Sequence, residues 1–298
     1  MSDSTQTIGI VGLGIMGLAI ARNLLAAKIA VRGYDTDAAR MTMLREAGGV
    51  PATSAGDSAA GAGVILTSLP SVAALDATVE SLLAREARGL VVVELSTLPI
   101  AAKEAARTRL ERGGIVLLDC PLSGTGAQAA SGDLAVYASG ERAAYDKAEP
   151  VFQSFARVCH FLGAFGNGSK MKFVANLLVA IHNVASAEAM VLGMKAGLDP
   201  ETIVKVIASG VGTSRVFELR APLMAAASYQ PATMKIDIWQ KDMSIIADFA
   251  RGLGVTTPTF TATEAIYDTA QQQGLGPEDT AAVCAVLEGI AGLRRSKA

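Results

Sequence analysis

Along the first half of the chain, short runs rich in β-branched and apolar residues recur at Thr7–Val11, Ala30–Tyr34, Val64–Ser68, Leu90–Leu95 and Ile115–Leu118. Each is followed by a stretch whose apolar positions repeat with helical spacing. Alternation of this kind predicts βαβ units around a mostly parallel sheet, with ligands at the carboxyl ends of the strands. Two further strands are predicted at Leu134–Ala138 and Val158–Phe161, flanking a helix within Glu141–Phe155.

From Gly168 onward the β-branched runs give way to long Ala/Leu/Met-rich helical periodicity, which predicts an all-helical second half. A chain of 298 residues exceeds what one core usually organises, so two domains are expected. The boundary is placed in the glycine-rich Gly163–Gly168 segment, giving domains 1–164 and 165–298. The greasiest stretch, Phe173–Met194, is broken by Asn176, His182, Asn183 and Glu188, which are costly in lipid. It is read as a buried helix.

Composition narrows the partners. The hydrophobic share is 51%, the charged share 18% and the net charge -2, with no Lys/Arg run. Such a chain lacks the electrostatic footprint for nucleic acid or an anionic membrane, and neither is expected as a partner. The polar opening MSDSTQT carries no export pattern, and Cys120, Cys159 and Cys284 are widely spaced and odd in number. The expectation is a cytoplasmic protein with no disulfide framework and no metal site. His160 and His182 stand alone on apolar segments, are expected to be satisfied in the core and receive no role.

Directly after the first predicted strand comes Gly12-Leu13-Gly14-Ile15-Met16-Gly17, which runs into a helical pattern, and Asp35 ends the second strand. Strand, glycine spacing, helix and acid together form the dinucleotide fingerprint. Gly12 permits the tight turn, Gly14 lets backbone approach the pyrophosphate, and Gly17 lets the helix pack closely. The predicted class is therefore α/β: an N-terminal Rossmann domain followed by an all-α C-terminal domain. As an acceptor for ribose hydroxyls whose charge repels a 2′-phosphate, Asp35 favours NAD over NADP. Against this stand a turn-forming role for Asp35 within YDTD, and Arg32 and Arg40 as phosphate partners.

Four segments in order, GLGIMG (12–17), DCPLSG (119–124), GNGSKMKFVAN (166–176) and QKD (240–242), resemble the β-hydroxyacid dehydrogenase family, which includes 3-hydroxyisobutyrate dehydrogenase and tartronate semialdehyde reductase. The resemblance covers nearly the whole chain. It implies hydride transfer between a small 3-hydroxy carboxylic acid and nicotinamide. By position it implies Lys172 as the proton-transfer residue with Asn176 beside it, Ser123 and Gly124 on the substrate carboxylate, and Lys241 near the nicotinamide end of the cofactor and the substrate. Leu69, Pro70 and Thr97 fall in loops implied to line the dinucleotide.

Residues four apart on a helix share a face, so Lys172 and Asn176 can act on one oxygen. Both the helix N-terminus and apolar flanks disfavour the ammonium of Lys172, which suits a general base. The plainer readings are a solvated Lys172 like Lys170, a loop serine at 123, and a Lys241 paired with Asp242. Thr97 can cap the helix that follows, with Pro99 in its first turn, and still touch cofactor.

Two departures bear on substrate. Thr125 replaces a second glycine beside the carboxylate-binding pair, and Ala175 replaces the first asparagine of a pair. Arg215 has two open readings, a partner for a second anionic group and a surface residue at a helix start. An imine reductase and a non-catalytic cofactor-sensing module are the rival functions; relatives of both kinds lack the lysine. Excess apolar sequence in the helical half suggests a homodimer or homotetramer.

Overall fold

The structure is a computed structural model and describes residues 7–295. These divide into two compact units, one ending at Lys172 and the other beginning at Phe173.

In the first unit, β1 (Thr7–Val11), α1 (Ile15–Ala26), β2 (Ala30–Tyr34), α2 (Ala38–Glu46), β3 (Val50–Pro51), β4 (Ala62–Thr67), α3 (Val72–Leu83), β5 (Val91–Glu94), α4 (Ile100–Arg112) and β6 (Val116–Asp119) build a six-stranded sheet. Its strand order is β3-β2-β1-β4-β5-β6 and all pairings are parallel. The strands read as continuous apolar runs because both faces are covered. Ile8, Ile10, Val64, Leu66, Val91 and Val93 enter one core, while Val11, Ile65, Val92 and Leu117 enter the other.

A second sheet follows: β7 (Leu122–Ser123), α5 (Gly126–Ala130), β8 (Leu134–Ala138), α6 (Arg142–Phe152) and β9 (Ala156–Phe161), ordered β7-β8-β9 with the first pair antiparallel and the second parallel. The two-residue strands β3 and β7 escape the hydrophobic pattern because a pair of residues carries no period.

The second unit consists of α7 (Asn167–Lys195), which starts in the first unit, and α8 (Pro200–Ala208), α9 (Arg215–Ala226), α10 (Ile236–Gly252), α11 (Pro258–Gln272) and α12 (Val283–Ile290). Among the described residues it holds no strand, only an isolated bridge between Lys235 and Asp279. The first turn of α7 is bonded into the first unit. Gly168 N–H donates to Ser139 Oγ (2.9 Å) and Ser169 N–H to Asp119 Oδ2 (2.7 Å).

By length and composition α7 could cross a membrane. One face is interior: Phe173, Ala180, Val184, Ala187 and Met190 are buried, and Asn183 donates to Tyr267 Oη (2.8 Å) and the Thr280 carbonyl (2.9 Å). The expected buried helix is thus buried on one face only, since Val174, Leu178 and Leu192 on the other are exposed. His160 is exposed rather than in the core, with its ring beside Tyr137.

Candidate functional site

The glycine loop joins β1 to α1. Gly12 has φ +90°, and a Cβ there would lie 2.1 Å from the Ser68 carbonyl oxygen; one on Gly17 would lie 1.9 Å from the Gly12 oxygen. Both glycines are therefore demanded by the fold itself. Gly14 is different. Its backbone is extended (φ -64°, ψ -166°), and a Cβ there would meet only Arg40 Nη1, at 3.5 Å. Nothing in the chain requires glycine at this position, so the open space fits a ligand that approaches the backbone. It opens onto the N-terminus of α1, where no side chain caps the helix and Ile15 is exposed, the setting a pyrophosphate needs. Leu13 is buried beneath the loop and Met16 packs partly buried against the core.

Asp35, at the end of β2, braces that loop. Its Oδ2 accepts from Leu13 N–H (2.7 Å) and its Oδ1 from Asp37 N–H (2.9 Å), so the turn-forming role is present. Of the two candidate phosphate partners, Arg32 is committed to Asp57, through Oδ2 at 2.6 Å and the carbonyl at 2.9 Å. Arg40 sits 3.4 Å from both Asp35 and Asp37.

At the next strand ends, Leu69 N–H donates to Ser96 Oγ (2.7 Å), while Pro70 is exposed and Thr97 half-buried. Helix α4 starts at Ile100, with Pro99 rather than Thr97 in the N-cap position.

The DCPLSG segment runs from the end of β6 through β7. Ser123, Gly124 and Thr125 are all half-buried, and Gly124 has φ +138°, where glycine is favoured. Thr125 precedes α5, and its N–H donates to Gln128 Oε1 (3.1 Å), so the residue that replaces the second glycine is held by its own helix. At the other end of the segment, fully buried Asp119 accepts from both the N–H and the hydroxyl of Ser169 (2.7 Å each). Lys172 follows three residues later, half-buried in the second turn of α7. Lys170 is exposed, as expected, and reaches Asn167.

One turn beyond Lys172, buried Asn176 donates to Asp242 Oδ2 (3.2 Å). Asp242 lies on α10, and Lys241 Nζ is 3.3 Å from its Oδ1. The QKD segment thus reaches Asn176 through its aspartate, which the sequence presented only as a partner for Lys241. Arg215 opens α9, exposed and 3.0 Å from Glu218, the surface arrangement.

Two more charged residues escaped sequence reasoning. Lys103 and Glu94 are fully buried with Asp119. Burial alone would lower the Lys103 pKa, but Glu94 and then Asp119 more than offset it and hold the ammonium charged. The signal was present: Lys103, Ala106 and Leu110 occupy one i, i+3, i+7 stripe of α4, all buried. The three cysteines offer no ready thiolate, since burial raises all of them, Cys159 to about 11 and Cys284 to about 12. Among the described residues no cluster has the makings of a metal site.

Residues 7–163 match the family described as the NAD binding domain of 6-phosphogluconate dehydrogenase, and residues 166–287 the family described as NAD-binding of NADP-dependent 3-hydroxyisobutyrate dehydrogenase. An L-threonate dehydrogenase of Cupriavidus necator is 34% identical over 96% of this chain and 97% of its own. This chain belongs to the β-hydroxyacid dehydrogenase family. As a β-hydroxyacid dehydrogenase it is an NAD(P)-dependent oxidoreductase acting on CH–OH donors. It also resembles Mycobacterium tuberculosis 3-hydroxyisobutyrate dehydrogenase, whose structure is described with L-serine: TM-score 0.85, 27% identity, 95% of this chain and 99% of that one. An imine reductase from Pseudomonas sp. shares the fold alone, at TM-score 0.55 and 20% identity over 95% of this chain and 100% of its own.

Proposed function

We propose that this β-hydroxyacid dehydrogenase uses NAD to interconvert a small 3-hydroxy carboxylate and its semialdehyde or 3-oxo acid, with Lys172 as general acid/base. L-threonate, 3-hydroxyisobutyrate and L-serine are the substrates to test first, from the names carried by its relatives. The observation that carries the reading is the start of α7, where Ser169, Lys172 and Asn176 stand at i, i+3 and i+7, hence on one face. That face is bonded at Ser169 to the segment bearing Ser123.

A bound nicotinamide dinucleotide supplies the two-electron acceptor. Gly12–Gly17 would hold its pyrophosphate and Asp35 its ribose, with Leu69, Pro70 and Thr97 along its length. Two carboxylates, Asp35 and Asp37, with Arg32 already paired to Asp57, support NAD over NADP. Ser123 and the backbone at Gly124 and Thr125 would receive the substrate carboxylate, and Lys241 would lie beside substrate and nicotinamide. Lys172 Nζ takes the 3-hydroxyl proton during oxidation and returns it during reduction, while Asn176 orients that oxygen.

The test is absorbance at 340 nm with NAD and NADP over a panel of 3-hydroxy acids, with Lys172→Ala as control. Turnover that falls by about 10²–10⁴-fold in the variant, with cofactor affinity kept, is expected. Near-normal turnover in the variant would sink the assignment. The exposed apolar residues Val174, Leu178 and Leu192 support a homodimer or homotetramer rather than a monomer, which sedimentation would decide.

A further inference from the structure

Lys103 Nζ is surrounded by three oxygens: Glu94 Oε2 at 2.6 Å, the Ser96 carbonyl at 2.7 Å and Asp119 Oδ1 at 2.8 Å. Asp119 in turn accepts from Ser169 through its N–H and its hydroxyl, and from Ser139 Oγ (3.1 Å). Gly168 N–H donates back to Ser139 Oγ, and a Cβ on Gly168 would lie 2.2 Å from the Tyr137 carbonyl oxygen, so the first turn of α7 rests directly on backbone. On the other side, Glu94 Oε1 accepts from Ser96 N–H (3.0 Å), and Ser96 Oγ from Leu69 N–H.

One chain of contacts therefore links the Leu69 loop, the Ser96 loop, the end of β6 and the start of α7. Burying two carboxylates and an ammonium costs more than an apolar cluster of the same volume would, so stability is a poor reason for this network. Geometry is a better one. The ammonium donates to the Ser96 carbonyl and to Asp119 and is ion-paired with Glu94, and the remaining carboxylate charge points at the N-terminus of α7, where the helix dipole favours it. Ser169 is the point of attachment, and Lys172 is the next residue on the same helix face.

We infer that Lys103 is a positioning residue for catalysis, acting through Asp119 and Ser169 to fix where Lys172 presents its amine. The inference rests on Lys172 being the general acid/base. Movement of a reacting group by about 1 Å can cost about 10²-fold in rate, so loss of this network is expected in kcat rather than in KM.

Two variants test it in the full-length protein. Ser169→Ala removes only the hydroxyl link. Lys103→Met combined with Glu94→Gln dismantles the ion cluster while leaving its net charge unchanged. Turnover is followed across pH with the best substrate of the panel, dinucleotide affinity by titration, and the amine of Lys172 by NMR titration after reductive ¹³C-methylation, assigned by its absence in Lys172→Ala. The expected result is a kcat about tenfold lower in Ser169→Ala and about 100-fold lower in the paired variant. KM and dinucleotide affinity stay within about twofold, while the Lys172 titration and the pH limb of kcat shift together.

Folded variants with unchanged kcat and an unchanged Lys172 titration would overturn the positioning role while leaving the base assignment standing. Should the paired variant fail to fold, Ser169→Ala alone decides between these results. Wild-type turnover in Lys172→Ala would instead remove the base assignment, and the positioning role with it.

Discussion

Asn176 Nδ2 lies 3.2 Å from Asp242 Oδ2, and both side chains are buried. An amide that donates from its nitrogen to a fixed carboxylate has its carbonyl oxygen orientation settled as well. Asp242 therefore decides how Asn176 presents itself, and Lys241 at 3.3 Å helps hold Asp242. Replacing Asp242 by Ala is expected to lower kcat by about 10- to 100-fold with little change in dinucleotide affinity, because the amide is freed to rotate. Steady-state kinetics beside a cofactor titration check this. Equal losses in both would mean that α10 had simply unfolded.

Gly14 and Gly17 should separate ligand from fold. Gly17→Ala drives a methyl to within 1.9 Å of the Gly12 carbonyl oxygen, and overpacking of this kind costs about 1–3 kcal/mol, read as a lower Tm without ligand. Gly14→Ala meets only Arg40 Nη1 at 3.5 Å and should leave Tm nearly unchanged. Its dinucleotide affinity should fall by about 10- to 100-fold, since one lost hydrogen bond to a charged group is worth about 1.5–3 kcal/mol.

Asp35→Ala removes two things at once, the proposed acceptor for a ribose and the brace on Leu13 N–H. Both cofactors should bind more weakly, NAD by the larger factor, so the NAD/NADP ratio of kcat/KM narrows toward unity. A ratio that does not move would show that Asp35 serves the loop alone.

The parallel sheet and the helical half were legible because each rests on a repeated signal, apolar runs of four to six residues or a 3.6 period. The DCPLSG and GNGSKMKFVAN segments were legible as resemblances, but their contact through Asp119 and Ser169 was not, since the two residues lie 50 positions apart. Glu94 and Lys103 were lost for a different reason. Charged residues are taken as solvated unless paired, and the pairing of Lys103 with Glu94 and Asp119 is a tertiary fact. The start of α4 at Ile100, with Pro99 at the N-cap, is likewise set by tertiary context rather than by local sequence.

Arg220 and Asp279 make the corresponding ion pair of the helical unit, with Arg220 Nη1 2.6 Å from Oδ1 and 2.7 Å from Oδ2. Breaking a buried pair from one side costs about 3–5 kcal/mol, so Arg220→Met should lower unfolding free energy by about that amount in denaturant titrations. An isolated pair would be repaired by replacing both partners with apolar residues. Asp279 is not isolated. It also accepts from the Thr233 N–H (2.8 Å) and hydroxyl (2.9 Å) and from the Ala281 N–H (3.0 Å), so it organises the approach to α10 and the turn before α12. Asp279→Leu added to Arg220→Met should therefore deepen the loss, because buried backbone donors are left unsatisfied. Recovery of stability in that double variant would show that the carboxylate serves the arginine and nothing else.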